Sequence, residues 1–456
     1  MEKTLAAALD YVPRWLDFQM RDWERPGLVV AIAERGRVVF ERAWGHADLN
    51  RGIELTPRHR FRVASHSKSF TAAGIMKLRE RRKLHLDDPV GLYVDGLHRG
   101  PAAVTLQQLL SHSGGVVRDG RDSGQWQDRR PFLDADEIRA DLADGTIIDP
   151  NTRFKYSNHG YGLLGMAIEA ITGESYNRWI KREIVEAAGL EETEPDVPLK
   201  RGTPFSRGHS MVLPLGRRVV IPGENSTRAL AAATGFISTA ADLVRWFSGL
   251  DPKAHHGVLS AASRREMIRR QWRSPHSSIE SYYGLGVGSG TFGDWDHFGH
   301  GGGFQGYITR TLHVPTRNLT ISVLTNSADG LAGLWLDGIL HIIRCFAQNG
   351  APPARLKAWS GRWWTLWGTV DLVPTTRKVL VALPGFLNPF MDASEIEVTG
   401  RDRGKIVLAS GVANHGEPVR LERDGRGRAH ALWLAGNKLL SERQVIRELT
   451  RRYEGR

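Results

Sequence analysis

The strand-like runs of this chain stand at two places far apart in sequence, with helices between them. Residues 28–33, LVVAIA, and 37–40, RVVF, are apolar, and the intervening ERGR supplies a turn, so they read as a β-hairpin. Strand patterns return at about 283–292, where glycines thicken in GLGVGSG, and continue in YITRTLHV and LTISVLTN. Helical periodicity fills the interval at 68–83, 105–112, 134–145, 160–173 and 239–250, and resumes at 331–347. This order suits one antiparallel sheet built from both ends of the segment with a helical lobe inserted, an α+β domain.

A break follows at 349–354, NGAPPA. Beyond it come short strand-like runs, KVLVAL, EIEVTG, KIVLAS, VRLERD and HALWLA, separated by turns such as DGRG. They predict a small all-β domain at 355–456, a barrel or a sandwich, behind a first domain at 1–348.

The start of the chain, MEKTLAAALDYVPRWLDFQM, reads as an amphipathic helix interrupted by Asp10, Arg14 and Asp17, not as a secretion signal. No stretch approaches the roughly 20 apolar residues of a membrane span. One cysteine, Cys345, excludes an internal disulfide, and together these features favour the cytoplasm. The net charge of +12 raises the question of nucleic acid. The basic residues are scattered among acids, as in KLRERRKLHLDD, with no basic stripe and no recognisable nucleic-acid motif. A soluble basic enzyme surface is the expectation, with no nucleic-acid partner.

The chemistry starts at 64–69, ASHSKS. Ser65 and Lys68 are three apart, so on a helix they share a face. A serine is a poor nucleophile without a base beside it, and a lysine serves when burial or positive neighbours lower its pKa. At the first turn of a helix the serine N–H is also free to stabilise an oxyanion. Lys68 is the only lysine of the chain with a serine at this spacing.

Three further segments bear on it. FKYSNHGYGLLG holds Tyr156-Ser157-Asn158 at the start of a helical pattern. A lysine ammonium can pull a tyrosine pKa down, and an asparagine can hold the lysine or donate to a carbonyl. HFGHGGGFQGY, 297–307, places His300 among glycines before a strand, where backbone can approach a ligand. LLSHSGGV, 109–116, is a loop with a histidine and two glycines that could equally be a helix end. Rival readings of the glycine-rich segment fit less well. The spacing Gly301-x-Gly303-x-x-Gly306 matches a dinucleotide fingerprint but precedes a strand, and HGGG lacks a Gly-x-Ser-x-Gly partner. Asp294, His297 and His300 match no familiar metal-ligand set.

With WGHADL, LHLDDPV, AAATGFISTAADLVRW and YGLGV, these segments resemble blocks of the serine β-lactamase and penicillin-binding protein superfamily, in family order over about 26–345. The resemblance is to its class C-like branch of β-lactamases, DD-peptidases, D-aminopeptidases and related esterases. It implies a class C β-lactamase-like catalytic domain, an antiparallel sheet with a helical lobe. It casts Ser65 as the acylated nucleophile, Lys68 as its partner and Tyr156 as general base or proton shuttle. Asn158 fills the second motif with Tyr156. The third motif, usually Lys-Thr-Gly in β-lactamases, is His300-Gly301-Gly302 here, a form similar to D-aminopeptidases and D-amino acid amidases. The N–H groups of Ser65 and Gly303 would make the oxyanion hole.

The resemblance implies acyl transfer through an acyl-enzyme, without metal or organic cofactor. The reading it favours is a D-stereospecific aminopeptidase or amidase. An esterase or DD-peptidase on the same machinery is the alternative, and a non-catalytic scaffold of the same fold is the alternative from another class. An aminopeptidase needs an acid for the free amino group, and Asp119, Asp122 and Glu224 are the candidates. The expected partners are a small-molecule or short-peptide substrate and, at most, a second copy of the chain.

Overall fold

The run LVVAIA does not alternate because it lies in the middle of a sheet. In the computed structural model, which describes residues 2–255, 257–274, 280–410 and 413–454, strand β1 (Gly27–Glu34) is buried at every position but the last. On one side it pairs with β2 (Arg37–Asp48), the expected hairpin. On the other it pairs with the last strand of the segment, from Leu28↔Thr325 to Glu34↔Leu319. That ladder joins the two strand groups that stand far apart in sequence.

The full sheet is antiparallel and has nine strands. After β3 (Ile53–Glu54) the chain leaves it, and returns as β4 (Trp272–Arg273), β5 (Ser281–Tyr283), β6 (Gly288–Phe292), β7 (Trp295–Phe304), β8 (Tyr307–Val314) and β9 (Leu319–Thr325). Their spatial order is β3-β2-β1-β9-β8-β7-β6-β5-β4. The helical lobe is inserted between β3 and β4, so the architecture is α+β.

Helices Ser67–Glu80, Leu106–Leu110, Ala135–Asp141, Asn158–Thr172 and Ala240–Gly249 fall where the periodicity places them, within a few residues. Their starts carry local signals. Thr105 with Gln108 and Asp134 with Glu137 form capping boxes, and the Ser157 hydroxyl accepts from Gly160 N. The Ser67–Glu80 helix is fixed by aromatic packing. Phe70 stacks between Phe236 and Trp246, each at 4.3 Å between ring centroids, and Trp246 Nε1 donates to Ser69 Oγ at 2.9 Å. Face-to-face contact on both sides holds this helix against the lobe.

This sheet and lobe form one compact unit, residues 25–333; the segments before 25 and after 333 form a second. In the second unit an eight-stranded closed barrel runs from Gly361–Trp364 to Asn437–Leu440 with each strand pairing its successor. The last strand closes on the first through Trp364↔Leu440. Trp359, Leu372, Ile396, Ile406 and Leu432 fill its interior. Helix Lys3–Asp22 belongs with it: Tyr11 OH donates to Asp371 Oδ2 at 3.0 Å and Gln19 Nε2 to Pro384 O at 2.7 Å. The 349–354 break separates helix Ala332–Asn349 from the short turn of helix leading into the barrel. Among the described residues no helix is long and apolar enough to cross a membrane.

Two adjacent glycines of β7 differ in what they allow. A Cβ at Gly302 would lie 2.1 Å from the Val63 carbonyl oxygen, whereas one at Gly303 would meet only Ile308 Cδ1, at 3.7 Å. Gly302→Ala therefore forces β7 away from the 63–66 turn, and overpacking of this kind costs about 1–3 kcal/mol. We expect a thermal midpoint lowered by several degrees, and no loss for Gly303→Ala. Equal midpoints for the two variants in differential scanning calorimetry would contradict this packing.

Candidate active site

Ser65 sits in a single 3-10 turn, Ala64–His66, directly before the Ser67–Glu80 helix. Ala64 has φ 47°, the left-handed region, which costs an alanine about 1–2 kcal/mol. The turn is held against that strain from several sides. Val63 N donates to Phe236 O at 3.0 Å, and the Ser67 hydroxyl donates to Ala64 O at 2.5 Å. His66 Nδ1 lies 2.8 Å from Val63 O, which can only accept, so Nδ1 carries the proton and Nε2 accepts from Thr311 Oγ1 at 3.0 Å. Burial pushes the His66 pKa down to about 3, so the ring stays neutral and keeps this pairing.

Lys68 is one turn along, with no exposed surface. Its Nζ donates to Asn158 Oδ1 at 2.7 Å and to Ala233 O at 2.9 Å, and lies 3.2 Å from Ser65 Oγ. The rings of Tyr156 and Tyr161 lie 4.7 and 5.4 Å from it. Among the described residues no carboxylate reaches ion-pair distance of this amine. Burial therefore dominates and holds its pKa well below the ordinary 10.5, against a raising influence of Asp119; Arg118 lowers it further.

Tyr156 OH donates to Ser65 Oγ at 2.8 Å. The sequence suggests that the lysine would draw the tyrosine pKa down. Burial instead raises it, with the Ser65 hydrogen bond and Arg118 only partly opposing. A lysine that is itself pushed toward its neutral form exerts little pull on a phenol. Tyr156 is placed by the loop LLSHSGGV. His112, at φ 58°, accepts from Ser157 N through Nδ1 at 3.1 Å, its carbonyl accepts from Lys155 N at 2.7 Å, and its ring packs tilted against Tyr156 at 4.1 Å. That histidine, which periodicity leaves as a helix end, brackets the tyrosine on both sides of the chain.

A cleft of about 390 Å³ opens on this group, lined by Ser65, Arg118, Asp119, Trp126, Tyr156, Asn158 and Gly303. Four of the six residues named from the sequence, Ser65, Tyr156, Asn158 and Gly303, thus face one space, and Lys68 lies beneath them. His300 is turned elsewhere. Its Nδ1 donates to Gly301 O at 2.6 Å and its Nε2 accepts from Tyr283 OH at 2.9 Å. Burial, with His66 and Lys68 nearby, holds its pKa well below the usual value, so it adds no positive charge to the cleft.

The three candidate acids separate clearly. Asp119 lines the cleft and accepts from Asn158 Nδ2 at 2.6 Å and Trp126 Nε1 at 3.0 Å through Oδ1. Asp122 caps Gly124 N at 2.8 Å, and Glu224 pairs with Arg207 at 2.6 Å. Arg118, Trp126 and His112 carry no motif signal beyond their loops. Among the described residues, no three of His, Cys, Asp and Glu converge as a metal site, and the two nitrogens of His300 are engaged as described.

The beta-lactamase family pattern matches residues 14–337. Protein flp of Staphylococcus aureus (strain N315) is 26% identical over 186 residues, 40% of this chain and 37% of that protein. The chain thus spans little more than a third of the curated relatives it matches. In fold, the octameric penicillin-binding protein homologue from Pyrococcus abyssi is similar over 95% of this chain and 100% of its own, at a TM-score of 0.65 and 23% identity. The D-amino acid amidase from Ochrobactrum anthropi SV3, complexed with L-phenylalanine amide, is similar over 75% of this chain and 99% of its own, at a TM-score of 0.63 and 21% identity.

The burial of Lys68 has a thermodynamic signature. Between its lowered folded value and the unfolded value of 10.5, the unfolded chain binds a proton that the folded protein does not. Stability therefore rises with pH across that window. Lys68→Met removes this slope and leaves a pH-independent offset from the lost hydrogen bonds. Subtracting variant from wild type in denaturant titrations is expected to give a difference that climbs toward pH 10.5. A flat difference would mean that Lys68 is not held toward its neutral form.

Proposed function

Because the chain belongs to the beta-lactamase family, we propose that it is a serine hydrolase working through an acyl-enzyme on Ser65, and that its substrates are amides or esters of small D-aminoacyl groups. One observation carries the reading. The Ser65 oxygen is contacted both by the buried Lys68 amine, at 3.2 Å, and by the buried Tyr156 phenol, at 2.8 Å.

These contacts suggest a proton path in which Lys68 acts in its neutral form, toward which burial pushes it. A neutral Lys68 donates its two N–H groups to Asn158 Oδ1 and Ala233 O and turns its lone pair to Ser65. It takes the Ser65 proton as Oγ bonds to the carbonyl carbon. Charge gathers on the carbonyl oxygen, for which the N–H groups of Ser65 and Gly303 are the proposed donors, each worth about 3 kcal/mol in comparable sites. Tyr156 passes its proton to the leaving amine or alkoxide as the bond to it breaks, and regains one from the Lys68 ammonium. Water then attacks the acyl-enzyme by the reverse path, releasing the acid and restoring Ser65.

Asp119 supports an aminoacyl substrate, since it is the candidate acid that lines the cleft. The fold likeness to a D-amino acid amidase is consistent with this. An esterase or DD-peptidase would use the same serine, lysine and tyrosine and would not need Asp119. The lone cysteine fits a reducing compartment, and the cytoplasm is the proposed location.

Ser65→Ala is expected to abolish turnover and the covalent adduct that a fluorophosphonate leaves on the wild-type protein. A variant that keeps both would sink the reading. For Tyr156→Phe we expect a loss of about 10²- to 10⁴-fold in amide hydrolysis. The acylation rate should rise with pH through an apparent pKa below 10.5 as Lys68 loses its proton, whereas Lys68→Arg, charged at every accessible pH, should be inactive throughout. An active arginine variant would remove Lys68 as the base.

A further inference from the structure

The proton path makes no use of Arg118, yet its guanidinium is at the cleft. Its side chain is 63% exposed, and its one ion pair joins Nε to Asp119 Oδ2 at 2.9 Å. Among the described residues the two terminal nitrogens have no protein partner, and the group lies 5.2 Å from the centre of the Tyr156 ring. Asp119 is half-used in a similar way. Its Oδ1 is filled by Asn158 and Trp126, while Oδ2 meets, among the described residues, Arg118 alone. The cleft thus presents a two-pronged donor and an acceptor oxygen beside each other, both with capacity left.

The pair is held by backbone rather than by its own attraction. Arg118 O accepts from Asn158 N at 2.9 Å and His159 N at 3.3 Å, at the first turn of the Asn158–Thr172 helix. The Ser157 hydroxyl donates to Val117 O at 2.6 Å. The same helix start that sets Asn158 beside Lys68 therefore sets Arg118 and Asp119 beside Tyr156. An exposed ion pair by itself contributes little to stability, so its place here is better explained by what it can bind.

Resting on the serine-hydrolase reading above, and replacing its ammonium-only aminoacyl substrate with one that keeps both charges, we propose that Arg118 and Asp119 together recognise a free α-amino acid head group on the substrate. The ammonium goes to Asp119 Oδ2 and the carboxylate to the terminal nitrogens of Arg118. The ion pair is the mirror of that zwitterion, and the guanidinium fork matches a carboxylate in two parallel hydrogen bonds. A substrate that keeps both charges together while offering an acyl carbon to Ser65 is an acidic amino acid linked through its side-chain carboxyl, as a γ-glutamyl or β-aspartyl amide. Hydrolysis then breaks that side-chain amide and releases the amino acid and an amine.

Three p-nitroanilides test this in the full-length protein. Alanyl anilide carries only the ammonium, glutaryl anilide only the carboxylate, and γ-glutamyl anilide both; the amino acids are used as D and L forms. We expect kcat/KM for a γ-glutamyl anilide to exceed the other two at least tenfold. Arg118→Gln should cut the γ-glutamyl to alanyl ratio tenfold or more, and Asp119→Asn the γ-glutamyl to glutaryl ratio. Ratios within one variant are insensitive to partial loss of folded protein. Unchanged ratios, or alanyl anilide as the best substrate, would overturn the proposal, as would no turnover of any anilide by protein that still takes a fluorophosphonate on Ser65. Absence of that adduct in the wild type would instead overturn the serine-hydrolase reading itself.

Discussion

Lys68 Nζ lies out of solvent, surrounded by three oxygens and two tyrosine rings, with no carboxylate among the described residues to offset its burial. A buried amine without an ionic partner costs several kcal/mol as an ammonium, and the cost falls when it sheds its proton. Much of the site follows from that constraint. The amine must keep two acceptors that do not move, so Asn158 is placed at a helix start and Ala233 on a π-helical turn, Ala231–Gly235, against the Ser67–Glu80 helix. Its lone pair is then left for Ser65, and the neighbouring phenol keeps its own proton.

The scaffold is built to keep these few atoms fixed. The Ser65 turn leans on β7 through Gly302, where no side chain would fit, and on β8 through His66 and Thr311. The helix carrying Lys68 is held by the stacked Phe236, Phe70 and Trp246. The Tyr156 segment is tied to His112 and to the 117–118 backbone. Side chains on rigid elements, fixed by further contacts, keep a reacting geometry that a loop alone does not.

Charge in the cleft is arranged differently from the motif pattern. The third motif offers no cation, because His300 is buried, neutral and turned to Tyr283. The positive group at the opening is Arg118, from a different loop, and it stands next to the acid Asp119. A cleft with both signs of charge side by side favours ligands with both signs over simple anions.

The sequence by itself determined the local features. Apolar runs, turn residues and period-3.6 patterns located several strands and helices to within a few residues, because these are properties of neighbours in the chain, whereas the central strand β7 read only as a glycine-rich segment before a strand. The three-residue spacing placed Ser65 and Lys68 on one helical face for the same reason. Motif resemblance extended this to residues far apart, Tyr156, Asn158 and Gly303, which the structure brings to one cleft with Ser65. Tertiary structure alone decided the rest. Asp119, Asp122 and Glu224 are equivalent as loop acids in sequence, and only packing puts the first into the cleft. The direction of the Tyr156 shift and the turn of His300 away from the cleft depend on desolvation and on partners from several elements. Such quantities are sums over neighbours in space, and a linear pattern does not contain them.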